Sequence, residues 1–335
     1  MPLFFPNFAA EERDVAPPPA WPTPTLTHLD AALRSCCEGD RSFADLHGRD
    51  VVVAWLNTAT AAGYADARGV PLWGAPPSVV DVVHDKAFCV AVARAHGLWP
   101  AHLDAAVHVI DEGALSADAL LALAQLPPTA AGLPHRGFTA KPRRGSAGRG
   151  RVDLRNTAAV PGALARLRAA GGCVVEPWLQ RTVDVAAAWR IDEQGGFALL
   201  GTSRAIVNGA GVWRACEVVI DDEGVPRSAT AWEGALVAQS AVVVSAAAAR
   251  GLRGPCGVDA FAFVDVDGHE RLRVVELNAR FTAGLLGVVL ARGRATGTRW
   301  RFAPAQVATL VAVDGHDADG AAPRPGAVDS DLLHE

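Results

Sequence analysis

The chain has 335 residues, half of them hydrophobic and a fifth charged, with a formal net charge of −5. That length exceeds the usual single domain, so two or three packed subdomains are expected. The acidic balance argues against a general nucleic-acid binder, and the longest apolar stretches, residues 241–249 and 285–291, fall well short of the ~20 residues that span a bilayer.

Six cysteines (Cys36, Cys37, Cys89, Cys173, Cys216, Cys256) show no CxxC spacing, and the histidines form no HExxH pattern. Idle reduced thiols and no zinc centre are therefore expected. The N-terminal MPLFFPNFAAEER lacks the basic start and continuous apolar core of a signal peptide, so the chain is expected to be soluble and cytoplasmic.

Residues 3–8 make a weak candidate strand, flanked and broken by Pro2 and Pro6, and a proline-rich connector covers 17–24. Helical spacing at 29–37, a doubly buried strand at 51–56, a helix at 60–68 and a short strand at 71–73 suggest a parallel α/β unit. The spacing predicts one helix over 79–96, with Asp85-Lys86 in its middle and Gly97 at its end. Residues 101–134 are Ala/Leu-rich, break at Pro127-Pro128, and give no clear elements. A strand at 138–141 then enters PRRGSAGRGRV. Gly145, Gly148 and Gly150, with Ser146, let backbone N–H groups approach an anion, and Lys141, Arg143, Arg144, Arg149 and Arg151 make the loop cationic. It is neither a Walker A loop nor GxGxxG, and taken alone it is equally a surface loop without a ligand.

A helix at 158–170, strands at 173–176, 183–189 and 197–200, a mobile loop at 204–214 and a long helix at 232–252 follow. Residues 257–280, GVDAFAFVDVDGHERLRVVELNAR, read as a β-hairpin turning at Asp267-Gly268. With those two as the turn, Val266 faces His269 and the register brings Asp259 opposite Glu276. Period-two alternation puts Asn278 on the same face. Two opposed carboxylates repel. Together with the carboxamide they form an oxygen-rich site for a hard divalent cation; the alternative is a solvated strand face. A helix at 281–291 and a last buried element at 302–313 precede a tail from Asp314 whose composition predicts disorder.

The ordered set Asp85-Lys86, Lys141-Pro-Arg-Arg-Gly-Ser-Ala-Gly-Arg-Gly, Glu176-Pro-Trp-Leu, Gly257-Val-Asp259 and Glu276-Leu-Asn278-Ala-Arg280 resembles the ATP-grasp superfamily of carboxylate–amine ligases. The resemblance spans nearly all of residues 70–290. It implies an α/β fold, α+β in its nucleotide-binding lobes. A pre-ATP-grasp α/β domain would cover 1–100, the small lobe with its glycine-rich lid 101–183, and the large lobe with the metal site 184–313, before the tail at 314–335. By the same resemblance Lys86 and Lys141 would contact ATP phosphates, under a lid over 145–150 that includes Gly145, Ser146, Ala147 and Gly148. Glu176, Pro177, Trp178 and Leu179 would form the hinge that reads adenine through backbone groups; Pro177 has no N–H, which leaves Leu179 as the donor. Asp184 would hold ribose, or stand as a strand-edge charge. Asp259, Glu276 and Asn278 would ligate Mg²⁺ (or Mn²⁺). Arg280, with Arg204 or Arg214, would face the transferred phosphoryl group or the acceptor carboxylate.

The implied activity is ATP-dependent ligation of a small-molecule carboxylate to an amine through an acylphosphate, releasing ADP and phosphate. Phosphotransfer or carboxylation of a small molecule, or nucleotide binding without turnover, are the alternatives. Neither nucleic acid nor membrane is expected as a partner, and the chain is expected to be a monomer or homodimer.

Overall fold

The computed structural model describes residues 1–8, 10, 23–125, 135–145, 150–209, 211–306 and 310–313. The expectations placed on residues 17–22, 127–128, 146–149 and 314–335 lie outside the described residues.

The alternation at the start of the chain builds a small parallel sheet. Strand β1 (Leu3–Phe5) is followed by helix α1 (Thr23–Gly39) and by β2 (Val52–Ala54), which pairs with β1 in parallel and bridges to Leu72 in the same sense. β2 is buried along its length, as its unbroken apolar run requires. Helix α2 (Ala59–Asp66) starts at Thr58, whose hydroxyl accepts the Ala61 N–H. The single helix expected over 79–96 is instead two, α3 (Pro77–Val83) and α4 (Lys86–Ala95). Asp85 takes extended backbone, φ −66 and ψ 129, and its carboxylate accepts the Ala87 N–H. A cap of this kind stops one helix and starts the next without interrupting the apolar period. Lys86 therefore opens α4 instead of lying in mid-helix.

The stretch that the sequence leaves unassigned contributes α5 (Ala101–Ala105), β3 (His108–Asp111) and α6 (Ala117–Ala124). With β4 (His135–Pro142), β5 (Val152–Asp153), α7 (Ala159–Ala169) and β6 (Gly172–Leu179) they form an antiparallel sheet in the order β3-β6-β4-β5. Its core gathers Leu103, Leu120, Leu154, Leu167 and Val174, and also takes in Phe261 and Phe263 from the larger sheet.

That larger sheet runs β12-β11-β7-β8-β9-β13-β14, with β10 paired to β9. Its members are β7 (Arg181–Ile191), β8 (Phe197–Val207), β9 (Trp213–Ile220), β10 (Pro226–Arg227), β11 (Gly254–Val264), β12 (Glu270–Asn278), β13 (Arg299–Phe302) and β14 (Val311–Ala312). Helices α8 (Glu233–Ala249) and α9 (Ala283–Ala291) pack on it, α8 also touching α4 and α9 touching α1. The expected loop at 204–214 is largely strand. Val207 pairs with Trp213, and Asn208 closes the turn by accepting the Val212 N–H on its side chain at 2.9 Å. The alternation of 203–207 thus continues to the Asn208-Gly209 turn. The expected buried element at 302–313 splits into β13 and β14, with Val311 exposed.

An aromatic seam joins the N-terminal unit to the large sheet. Phe281 stacks on Trp55 (centroids 6.5 Å) and Trp73 (6.3 Å), and its N–H donates to the Trp55 carbonyl at 3.2 Å. All six cysteines are buried free thiols. Among the described residues no helix is long and apolar enough to cross a membrane.

Candidate active site

The N-terminal unit, the small sheet and the large sheet enclose a cavity of about 420 Å³. The central strands contribute Asp184, Val185 and Ala186 on β7, the alternate residues Ser203, Ala205 and Val207 on β8, and Asp259, Ala260 and Phe261 on β11.

The hairpin of β11 and β12 sets the polar centre. Asp259 lies opposite Glu276, as expected, and Val258 and Gly257 keep that register, but from Ala260 to the turn it differs by one residue: Ala260 faces Val274 and Val264 faces Glu270. Val266 does not face His269. Asp265 does, its N–H donating to the His269 carbonyl at 2.8 Å, so three residues form the turn. The Asp265 carboxylate is buried at this turn, where it accepts from Val266 N–H at 2.8 Å and bonds His102 Nε2 at 2.6 Å. A β-bulge at Val275 then inserts one residue into β12 and restores the Asp259–Glu276 pair. Val275 itself lines the cavity.

Asn278 Nδ2 donates to Asp259 Oδ2 at 2.9 Å. Burial, then the charge of Glu276, pushes the Asp259 carboxyl up to about 7, against the opposing pull of Arg280. Among the described residues no three His, Cys, Asp or Glu side chains group to hold a metal by themselves. The hairpin offers two carboxylates and a carboxamide, hard donors whose mutual repulsion a dication relieves and whose remaining positions a ligand and water can fill. The donor set fits Mg²⁺.

Two lysines approach this centre. Lys86, first residue of α4, has Nζ 2.9 Å from Glu276 Oε2 and donates to the Gly145 carbonyl at 2.7 Å. Its helix start is held by Arg143, which bonds the capping Asp85 at 2.7–3.0 Å and accepts the Lys86 N–H on its own carbonyl at 3.1 Å. Lys141, on β4, pairs with the Glu176 carboxylate; the other Glu176 oxygen accepts from Arg273 Nη2 at 2.6 Å. Burial alone would raise the Glu176 carboxyl, yet Arg273 and Lys141 outweigh it and bring it to about 2. Burial pushes the Lys141 ammonium down, with Glu176 opposing.

Lys86, Lys141, Gly145, Trp178, Asp184, Arg214, Asp259, Glu276, Asn278 and Arg280 all line the cavity. Glu176, Pro177 and Leu179 do not: the Glu176 side chain is turned into its buried ion network, and Trp178 is the one residue of 176–179 on the wall. Asp184 is paired with Arg181 at 2.8 Å. Arg204 is exposed on β8 and is not among the lining residues, whereas Arg214 is. Ser146, Ala147 and Gly148 lie outside the described residues.

Sequence reasoning gave no site role to Arg273 or Trp55, and placed Arg151 only as one of the cations of the glycine-rich loop. The Arg151 and Arg181 guanidinium groups lie 3.7 and 4.6 Å from the Trp178 ring centre. The turn between β8 and β9 also meets this ring: Gly211 has φ +73, and a Cβ there would sit 2.9 Å from Trp178 Cη2. Arg280 lies 5.6 Å from the Trp55 ring centre and donates to the Phe281 carbonyl at 2.8 Å.

No family model and no curated protein matches this chain. Solved structures do. The biotin carboxylase domain of Hydrogenobacter thermophilus 2-oxoglutarate carboxylase, solved with MgADP, ADP and bicarbonate, superposes with a TM-score of 0.50 at 14% identity, covering 83% of this chain and 62% of that one. Rhizobium etli pyruvate carboxylase gives 0.50 at 16%, covering 78% of this chain and 24% of that one. Campylobacter jejuni biotin carboxylase gives 0.46 at 13%, covering 78% and 60%. This chain therefore spans less than two thirds of each of these proteins, and at such identities the likeness is one of fold. The fold of this chain is the ATP-grasp fold, in agreement with the resemblance its motifs carry.

Proposed function

We propose that this chain is an ATP-dependent ligase that activates a carboxylate as an acylphosphate and joins it to an amine, releasing ADP and phosphate. The observation that carries the reading is the convergence of Lys86, Lys141, Asp259, Glu276, Asn278 and Arg280 on one cavity in this fold. Residues 1–100 would form the domain preceding the ATP-grasp lobes, 101–183 the lobe with the lid at 145–150, and 184–313 the lobe with the metal site.

Lys86 and Lys141 would neutralise phosphate oxygens, the 176–179 segment, which reaches the cavity wall through Trp178, would take adenine, and Asp184 would take ribose hydroxyls. Lys86 bridges Glu276 and the Gly145 carbonyl, and phosphate oxygens would compete for the same ammonium, which would leave Glu276 available to hold a metal. Asp259, Glu276 and Asn278 would hold Mg²⁺ or Mn²⁺; when bound, the ion neutralises charge on the phosphates as a Lewis acid. Arg280 and Arg214 would orient the acceptor carboxylate. One carboxylate oxygen attacks the γ-phosphorus and ADP departs. The amine nitrogen then attacks the acyl carbon, phosphate leaves, and the nitrogen gives up its proton. The protein's share is positioning and charge stabilisation, so no nucleophilic side chain is required.

Incubating the chain with MgATP, pooled carboxylates and hydroxylamine should yield hydroxamate, ADP and phosphate. Glu276→Gln should lower that turnover at least ~100-fold with its circular dichroism unchanged. AMP and pyrophosphate would overturn the reading, and a stable phosphoester would move it to phosphotransfer. Carboxylation is the second reading, favoured by the fold shared with a domain solved with MgADP and bicarbonate. It predicts ADP release that depends on bicarbonate and yields no hydroxamate from organic acids.

A further inference from the structure

Three successive residues at the junction of α3 and α4 reach both large and small sheets. Asp85 bonds Arg143, just past β4, and Lys86 meets Glu276 on β12. His84, the residue before them, closes α3 with its backbone N–H on the Val80 carbonyl at 2.9 Å. Its side chain turns to the large sheet, where the Ala279 N–H donates to Nδ1 at 3.0 Å across 195 residues of chain. A backbone N–H can only donate, so Nδ1 is the acceptor. The ring is therefore neutral and carries its proton on Nε2.

This bond falls where the ladder stops. β12 ends at Asn278, paired with Gly257 on β11, and the next N–H groups lie beyond the pairing. Those of Arg280 and Phe281 donate to the Asn278 and Trp55 carbonyls, at 2.9 and 3.2 Å. That of Ala279, a residue 5% exposed, donates to the imidazole. A buried N–H that loses its acceptor is costly, so without His84 the peptide at 279 would rotate to find another partner. Neither His84 nor Ala279 lines the cavity, but Asn278 and Arg280 do, and a rotation of the peptide between them moves both side chains.

We propose that His84 is a positioning residue. Through the Ala279 N–H its neutral imidazole fixes Asn278 as a metal donor and Arg280 toward the transferred phosphoryl group, from the same junction that presents Lys86. This rests on the ligase reading and adds to it a residue that touches neither nucleotide nor metal.

The test compares the full chain with His84→Phe, which keeps a ring and removes the acceptor, and His84→Asn, whose Oδ1 can stand near the place of Nδ1. Binding of the β,γ-imido analogue of ATP is measured by calorimetry with Mg²⁺ and again in EDTA, and exchange of the Ala279 amide by NMR. His84→Phe should reduce the gain in affinity that Mg²⁺ brings by about tenfold, with binding in EDTA and the circular dichroism unchanged. It should speed Ala279 exchange and lower kcat more than it raises KM for ATP. His84→Asn should restore most of each. Nitrogen NMR of the unaltered chain should place the His84 ring proton on Nε2. A proton on Nδ1 overturns the proposal, even where His84→Phe does not fold. So does a Mg²⁺ gain that is unchanged in His84→Phe, or one that His84→Asn fails to restore. The ligase reading fails separately: a Mg²⁺ gain lost and restored as expected, in a chain that yields no hydroxamate, sinks the chemistry and leaves the role of His84. An unaltered chain that binds no nucleotide sinks both.

Discussion

Glu176 sits between Lys141 and Arg273 with its side chain 4% exposed and that of Arg273 1%. Its carboxyl is held at about 2 against an ordinary 4.5, because the two cations outweigh the cost of burial. The folded state therefore binds this proton less readily than the unfolded chain. The stability it contributes is fully present above pH 4.5 and is lost as pH falls toward 2. Glu176→Gln should flatten that acid limb. At neutral pH it should cost about 3–5 kcal/mol in urea unfolding, since it leaves Arg273 buried without its counter-charge. Asp259 has the opposite sign. Its carboxyl is raised from 3.8 to about 7, so the folded state binds the proton more tightly and stability falls as pH rises through that window. At pH 8 Asp259→Asn should stabilise the metal-free protein by more than about 1 kcal/mol. The same variant should abolish MgATP-dependent turnover. A variant that is both active and no more stable would remove the repulsion from the account.

At the scale of elements, the break between α3 and α4 shows how a cap serves a site. Asp85 holds the first turn of α4 and pairs with Arg143, and this places Lys86 against Glu276 and Gly145. Asp85→Ala should cost about 1–2 kcal/mol through the lost cap. It should also raise KM for ATP more than it lowers kcat; an unchanged KM would show that Lys86 finds its place without the cap. The hairpin carries a second lesson. Its expected register is one residue off at the turn, and the bulge at Val275 returns Asp259 to Glu276. The pair was legible from alternation. The bulge was not, because an extra residue in a strand leaves no mark on the hydrophobic pattern except a doubled Val274-Val275 that also suits a buried strand.

For the whole molecule, the cavity is walled by three units, so a ligand that fills it ties them together. MgATP at about 100 times its Kd should stabilise the chain by about 2.7 kcal/mol, read as a rise in Tm, and Glu276→Gln should reduce that rise. Equal melting with and without nucleotide would contradict the site. What the sequence by itself determined is what local spacing encodes: the strand–helix alternation at the start, the acidic hairpin, and the ordered lysine, hinge and Glu-x-Asn-x-Arg motifs. Tertiary structure alone decided three further matters. It showed that Arg214 and not Arg204 reaches the cavity, because strand alternation turns Arg204 away from the face that Ser203 and Ala205 present to it. It brought Phe8, Leu29 and Trp55 to the cavity wall from an N-terminal unit far away along the chain. And it buried Arg273, which in RLRVVELN looks like a solvent-facing strand charge, against a carboxylate 97 residues away. Alternation tells which side chains share a face, but whether that face meets water, a core or a counter-charge depends on what else the chain folds against it.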